Sequence, residues 1–372
     1  MKRKISIFSV SMGAGGAEKV ISILLPILVD DYKVTLFLLY DDFHYSIPDN
    51  VEIITLFPNN NNSFIRRLFS VPIAFVKYGQ YLKRNHIDAS ISFLFRPNIV
   101  SGMVALFNSR TKFIISERNY PSMEYKRGSH LGFIISRFLL KLFYNRADIL
   151  FSNSEYINKD LAKNFGIKIP MRVIYNPIEI TSIVHNPKKE VSKIVTVGRF
   201  EKVKNHMLLF NVIKQMPHHS LTIWGDGALR NDYEDMVIQL EIEGQVNLPG
   251  KTNDVLRVIS RDDIFILSSD SEGFPNALLE AMSVGLPVIA TNCLSGPLEL
   301  LNDNEDVIIP QGGFYQAKFG VLVNTGDVEG LIKSINFLSD NYAKRMYYAK
   351  KSRERAVDYS LPTIYEQLKK II

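Results

Sequence analysis

Short strands rich in β-branched and aromatic residues alternate with helix-like patterns along this chain, and the alternation runs through twice. In the first half it reads as strands at residues 5–10, 33–40, 89–94, 112–116 and 149–152, with a helix starting at Ala17 after the first of them. In the second half it reads as strands at 192–197, 220–224, 246–248, 263–268 and 287–291, again with helical segments between. Strands separated by helices pair in parallel rather than as hairpins, and their sheet must be covered by helices on both faces. A polar, proline-bearing stretch at 176–189 divides the two series and reads as a hinge. At 372 residues the chain is longer than one hydrophobic core normally grows. The expected fold class is therefore α/β with two doubly wound, Rossmann-like domains, 1–178 and 190–355. A C-terminal helix, 356–372, is expected to pack back on the first domain. In such sheets ligands sit at the carboxyl ends of the strands, so the loops that follow strands are where chemistry is sought.

Composition excludes several classes. Cys293 is the only cysteine, which rules out an internal disulfide and any multi-cysteine metal site and suits a reducing compartment. No stretch reaches the roughly 18 uninterrupted apolar residues of a membrane span. Lys2, Arg3 and Lys4 ahead of an apolar run resemble a secretory leader, but the run has the length of a strand, contains serines and leads into a glycine loop, as an α/β domain begins. A cytoplasmic protein is expected. The charge is lopsided: residues 1–185 carry 23 Lys and Arg against 14 Asp and Glu, a net of +9, whereas 186–372 carry 21 against 24. The first half is thus suited to an anionic partner. Residues 53–87 and 125–147 contain no acid at all; the first window holds Arg66, Arg67, Lys77, Lys83 and Arg84 among apolar residues at helical spacing, divided by Pro72. Basic amphipathic segments too short to span a bilayer are the pattern of helices lying in an anionic membrane surface. Core helices with solvated basic edges would look the same. No nucleic-acid motif accompanies the charge, so nucleic acid is not expected as a partner.

The most specific segment is SSDSEGFPNALLEAMSVGLPVIA at 268–290, a strand, loop, helix, turn and strand. Pro275 suits a helix start, and the backbone amides of Asn276 and the residues after it are then available to an anion. Glu272 falls in the loop and Glu280 inside the helix, and a carboxylate can accept both hydrogen bonds of a sugar or ribose diol. Arg199 and Lys204, after the first strand of the second domain, supply two cations for a departing diphosphate without a metal. Gly225, Asp226 and Gly227 form a tight turn after the next strand, and Lys251 follows the one after that. In the first domain the loop Gly13-Ala-Gly15-Gly16-Ala-Glu18-Lys19 lets backbone pass close to a phosphate, as in dinucleotide-binding folds. A nicotinamide-dependent oxidoreductase is therefore a rival reading, although Glu18 is too bulky for the third glycine position of that fingerprint. A non-catalytic nucleotide-sugar-binding protein is a second rival. The histidines show no metal-ligand spacing, and no metal or other cofactor is expected.

The 268–290 segment resembles the E-x7-E motif of retaining glycosyltransferase family 4, and the resemblance extends over nearly the whole chain, most strongly at 195–301. It implies a GT-B fold, two Rossmann-like domains facing each other across a cleft. It implies a retaining, metal-independent hexosyltransferase in which Glu272 contacts the transferred sugar and Glu280 the nucleotide ribose, with Arg199 and Lys204 on the diphosphate. Gly273, Phe274, Pro275, Asn276 and Ala277, together with Gly225, Asp226, Gly227, Lys251 and Gly16, join the donor site by the same resemblance. The resemblance likewise implies that Gly15 and Lys19 face the diphosphate and acceptor. In many relatives the place of Glu117-Arg118 reads Glu-His; here Arg118 stands where that histidine would help to hold the donor sugar. The leaving phosphate itself helps to deprotonate the incoming hydroxyl in the mechanism favoured for such enzymes. The expected reaction moves a hexose or N-acetylhexosamine from a UDP-sugar to a lipid-linked, polyprenyl-diphosphate glycan acceptor in surface polysaccharide or glycan assembly, on the inner face of the cytoplasmic membrane.

Overall fold

The computed structural model describes residues 2–58, 64–126, 130–190 and 192–372. The chain divides into two compact units, one formed by Met1–Pro177 with Leu361–Ile372 and the other by Ile178–Ser360. The division falls at the start of the proline-bearing stretch, so residues 178–189 belong to the second unit rather than to a free hinge.

The first unit is built on a seven-stranded sheet of β1 (Arg3–Ser9), β2 (Tyr32–Tyr40), β3 (Glu52–Phe57), β4 (Ala89–Phe93), β5 (Lys112–Glu117), β6 (Ile149–Ser152) and β7 (Met171–Val173), in the order β3-β2-β1-β4-β5-β6-β7. All neighbouring pairs are parallel. Helices cover both faces, which is why β2 and β4 are buried along almost their whole length and read as continuous apolar runs. One face packs Val20, Ile21, Leu24 and Leu28 of the helix Gly16–Asp31 and Ile364 and Leu368 of the C-terminal helix Leu361–Lys369 against Ile5, Ile7, Val34 and Leu36. Tyr365 there donates to the Asp31 carboxylate at 2.7 Å, and Lys369 pairs with the same group at 3.0 Å. The other face packs Tyr78, Leu82, Val100, Leu140 and Leu161 against Phe8, Phe37 and Leu39.

Two expectations change here. Pro72 does not divide its segment: one helix runs Phe64–Asn85 with Pro72 inside it. A proline costs a helix one hydrogen bond, but Ala74, Tyr78 and Leu82, four residues apart on one face and at most 1 % exposed, hold this helix against the sheet on the far side of that defect. The C-terminal segment of the first unit begins at Leu361 rather than at 356, because the helix Tyr342–Val357 packs within the second unit.

The second unit repeats the plan with β8 (Lys193–Val197), β9 (Ser220–Trp224), β10 (Val246–Gly250), β11 (Ile264–Leu267), β12 (Val288–Thr291), β13 (Phe314–Gln316) and β14 (Val321–Val323), ordered β10-β9-β8-β11-β12-β14-β13. Only β13 runs antiparallel, against β14. Among the parallel strands of each sheet the direction of chain progression reverses once, between β1 and β4 and between β8 and β11. A crevice opens at such a reversal because the two flanking crossovers leave in opposite directions.

Close packing in the helical layer of the first unit rests on Gly102. A Cβ there would lie 2.1 Å from the Phe143 carbonyl oxygen, which ends the neighbouring helix His130–Phe143. Gly102→Ala is expected to destabilise the protein by about 1–3 kcal/mol, the usual cost of overpacking, seen as an earlier midpoint in chemical unfolding; an unchanged midpoint would show that this contact yields freely.

Candidate active site

In the second unit the loops after β10, β9, β8, β11 and β12 lie side by side at the carboxyl edge of the sheet and are tied to one another. Gly225 donates its amide to Gly250 at 2.9 Å, Gly198 to Trp224 at 3.0 Å and Phe200 to Asp226 at 3.0 Å. Ser268 Oγ donates to the Lys204 carbonyl at 2.8 Å, Asp270 N to Val203 at 2.9 Å and Ser295 Oγ to the Gly273 carbonyl at 2.6 Å. Gly225 is required by this packing. Its φ is +150°, and a Cβ on it would stand 1.9 Å from the Gly198 carbonyl oxygen.

The crevice between β8 and β11 brings Lys204 and Glu272 together. Lys204 Nζ lies 2.7 Å from Glu272 Oε1, with side chains 23 % and 8 % exposed. Ser269 Oγ donates to the same oxygen at 2.6 Å. Oε1 thus takes two donors, and Oε2 is the oxygen left to accept from a ligand. An ammonium has three N–H bonds, of which Glu272 engages one. Asn205, in the left-handed conformation with φ 48°, turns the chain directly after Lys204 and fastens it through a 2.8 Å bond to Asp270. Behind this loop His206 is 2 % exposed among Phe200 and Tyr233, and burial pulls its pKa down to about 3, so it is a neutral packing group rather than a third cation.

Glu280 sits in the helix Asn276–Ser283 and is 4 % exposed, so it is not an ordinary solvated surface glutamate. Gly273, Phe274 and Pro275 form the approach to this helix. Pro275 occupies the cap position itself, one residue earlier than a first-turn proline, and supplies no side-chain cap. Asn276 and Ala277 open the first turn, in which the Pro275 carbonyl accepts from the amides of Leu278 and Leu279 at 3.1 and 3.2 Å. Gly296 presses on Pro275, since a Cβ there would approach its Cδ to 2.4 Å. Arg199 is less constrained: its side chain is 67 % exposed and paired with Glu201 at 2.9 Å. Gly225, Asp226 and Gly227 lie against Gly198 and Phe200, and Lys251 is exposed beyond them after β10.

In the first unit Gly15 caps the helix Gly16–Asp31, with Gly16 and Lys19 in its first turn. A Cβ on Gly15 would fall 2.0 Å from Glu18 Oε2, so a carboxylate of the helix's own first turn already faces its N-terminus. That is the place where a dinucleotide fold receives a pyrophosphate, and its occupation by Glu18 weighs against the oxidoreductase reading. At the end of β5, the side chains of Glu117 and Arg118 do not pair with each other. Glu117 is 2 % exposed; it accepts from Tyr144 Oη at 2.9 Å and from the amides of Arg118 and Asn119 at 3.0 and 3.4 Å. Burial outweighs these bonds and pushes its pKa up to about 7. It lines a cavity of about 200 Å³ at the carboxyl ends of β1, β4 and β5, together with Arg96, Asn119, Glu124 and Tyr125. Arg118 instead lies between the rings of Phe93 and Phe151, 5.1 and 5.0 Å from their centroids, and bonds to Asn176 at 2.9 Å. Burial pulls its pKa down to about 9.

Lys77, Lys83 and Arg84 are exposed on the helix Phe64–Asn85. The side chains of Arg66 and Arg67 lie outside the described residues. Ser269, Tyr144 and Arg96 belong to these sites and were not singled out from sequence. Ser269 carried a signal, a polar run straight after a buried strand. Tyr144 and Arg96 carried none, since tertiary folding alone brings them to Glu117. Among the described residues no group of three or more His, Cys, Asp or Glu is placed to hold a metal ion.

The "Glycosyltransferase Family 4" model matches residues 14–182 and the "Glycosyl transferases group 1" model matches 178–355. The chain is 29 % identical over 362 residues, 95 % of each chain, to the N-acetylgalactosamine-N,N'-diacetylbacillosaminyl-diphospho-undecaprenol 4-alpha-N-acetylgalactosaminyltransferase of Campylobacter jejuni. Among solved structures it resembles Anabaena HepE in complex with UDP, with TM-score 0.78 and 19 % identity over 99 % of this chain and 98 % of the other. It also resembles sucrose-phosphate synthase of Thermosynechococcus elongatus, with TM-score 0.82 and 18 % identity over 100 % and 98 %.

Glu117 provides a test through pH. Unfolded, its carboxyl has the ordinary value of 4.5; folded, it titrates at about 7. Between these values the folded state keeps a proton that the unfolded chain has lost. The stabilisation is therefore complete below about 4.5 and falls as pH rises through about 7. Relative to Glu117→Gln, the wild type is expected to lose more than about 1 kcal/mol of stability between pH 5 and 8, measured by urea unfolding; parallel profiles would mean that Glu117 is ionised throughout.

Proposed function

Since the chain belongs to the family-4 glycosyltransferases and has their GT-B fold, we propose that it transfers a hexose or N-acetylhexosamine from a UDP-sugar, with retention, to a hydroxyl of a polyprenyl-diphosphate-linked glycan. The observation that carries this reading is the Lys204–Glu272 pair, held in the crevice where the second sheet reverses. Lys204 offers two further N–H bonds to a diphosphate oxygen, and Arg199, exposed and paired with Glu201, supplies a second cation. Glu272 Oε2 accepts from a hydroxyl of the transferred sugar, and Glu280 serves the ribose diol. As the bond from the anomeric carbon to the diphosphate breaks, the acceptor hydroxyl bonds to the same face of that carbon, and its proton passes to the departing phosphate. No metal is assigned, because fixed cations aimed at the developing charge can take that role. The UDP donor is supported by the fold shared with HepE, a protein seen bound to UDP. The lipid-linked acceptor is supported by the relative from Campylobacter, named for transfer to a diphospho-undecaprenol-linked sugar.

A peripheral position on an anionic membrane, the inner face of the cytoplasmic membrane, belongs to the same proposal. Among the described residues no helix is long and apolar enough to cross a membrane. On the helix His130–Phe143, however, Leu131, Ile134, Ile135, Phe138 and Leu142 form one stripe and are all exposed, Leu131 by 65 % and Phe138 by 63 %. Arg137 and Lys141 flank the stripe, and Lys77, Lys83 and Arg84 are exposed on the helix Phe64–Asn85 in the same layer. Apolar side chains interleaved with cations suit the headgroup boundary of an anionic bilayer.

Two experiments test these points. With UDP-sugars and a polyprenyl-diphosphate glycan, Lys204→Ala is expected to lower kcat roughly 10²–10³-fold, and EDTA is expected to leave the wild-type rate unchanged. A strict requirement for added magnesium would overturn the two-cation account. In flotation with anionic vesicles, Ile134→Ser/Phe138→Ser is expected to weaken binding at least tenfold, because each side chain withdrawn from the interface forfeits more than the roughly 1.4 kcal/mol that a factor of ten requires. Unchanged flotation would remove this helix from the membrane surface.

A further inference from the structure

The helices Phe64–Asn85 and Phe95–Ala105 lie side by side on one face of the first sheet, and a cavity of about 760 Å³ opens between their C-terminal halves. It adjoins the segments that lead into β4 and β5, Ile87 with Asp88 and Asn108 to Thr111, and so lies at the opposite end of the sheet from Glu117. Its size is that of an ordinary ligand pocket, roughly 300–1,000 Å³. Nothing in the transfer reaction uses it.

The walls are apolar and the rim is positive. Phe75, Val76, Leu82, Val104 and Phe107 form the walls. Phe107 is 80 % exposed, with its ring 6.0 Å from that of Phe75. Gly79 keeps the groove open: it has no side chain, and the nearest atoms a Cβ would meet are the Val104 methyls at 3.6 and 3.7 Å. On the rim stand Lys83, Arg110 and His86, all exposed. Asp88 is the only acid between residues 53 and 116, and its carboxylate already accepts the Lys4 amide at 2.7 Å. An apolar trough edged by cations complements a molecule with one hydrocarbon chain and an anionic head. Inorganic phosphate would leave the aromatic walls unused, and a neutral lipid would leave the cations unused.

We propose that this groove binds one chain of an anionic phospholipid, with Lys83 and Arg110 on its phosphate and the chain between Val104, Phe75 and Phe107. The inference deepens the membrane reading above and shares only Lys83 with it. Such a site would hold the first unit to a particular lipid in addition to the diffuse attraction of its basic surface. It belongs to the first unit and shares no residue with the donor crevice, which belongs to the second, so lipid and nucleotide are expected to bind together.

The test uses the full-length protein and lysophosphatidylglycerol below its micelle concentration, followed by isothermal titration and by the rise in thermal midpoint that a ligand of the folded state produces. Saturable binding of one lipid per chain is expected, at least tenfold tighter than lysophosphatidylcholine and not competed by inorganic phosphate. Lys83→Gln/Arg110→Gln is expected to weaken it at least tenfold. Gly79→Leu is expected to abolish it while leaving UDP binding intact, because replacing a mid-helix glycine with leucine favours the helix and fills only the groove. Ile134→Ser/Phe138→Ser is expected to bind lysolipid as the wild type does even if it no longer floats with vesicles, which separates this site from the membrane stripe. Equal affinity for the two lysolipids, or undiminished binding by Gly79→Leu, would overturn the proposal. So would the absence of binding by a wild type that still binds UDP.

Discussion

A parallel strand cannot turn back on itself, and each one must be followed by a crossover that returns the chain to the far end of the sheet. All loops leaving the carboxyl ends therefore gather on one edge, and the one place where crossovers diverge is the reversal of strand order. This constraint puts residues 198–205 beside 268–276 in the second unit, although some seventy positions separate them. The rest of the site follows from making that edge dense. Gly225 leans on the Gly198 carbonyl, Ser268 holds the backbone of Lys204, and Ser295 holds Gly273. The Lys204–Glu272 contact is the product of this scaffold rather than its cause.

The two units handle charge differently. In the second, Glu272 keeps a cation and a hydroxyl on one oxygen, and both Lys204 and Glu272 stay within reach of solvent. In the first, Glu117 is buried without a cation and its pKa rises to about 7, while its neighbour Arg118 is buried between two aromatic rings and its pKa falls to about 9. Adjacent residues at a strand end project to opposite sides, so a glutamate and an arginine next to each other in sequence need not meet. Arg118 is thereby a residue of the first unit's interior, bonded to Asn176, and only Glu117 faces the cavity at the strand ends.

Much of the fold was legible because long parallel strands, covered on both faces, are written as apolar runs that few other structures require. The strands that escaped notice are those without such runs. β3 is half-exposed at an edge, β7, β13 and β14 have three residues each, and β13 pairs antiparallel at the opposite edge of the second sheet. Pro72 misled for a related reason: local propensity argued for a break, and packing of Ala74, Tyr78 and Leu82 on the sheet overrode it. The stripe on His130–Phe143 had the spacing of any helix laid on a sheet. Only its exposure distinguishes a face turned outward from one turned to the core.

What the sequence by itself determined is the alternation of strands and helices, the family, and the identity of the chemical groups: two glutamates eight residues apart, a lysine and an arginine after one strand, and glycines where chains must touch. These are local facts, set by spacing along the backbone and by the conformations that glycine and proline allow. What only the tertiary structure decided is which of those groups meet. Lys204 is given to Glu272, Arg118 is withdrawn into the interior, and Tyr144 is brought to Glu117 from the turn that follows the helix His130–Phe143. Burial and pairing depend on elements far apart in the chain, and no spacing within a single segment records them.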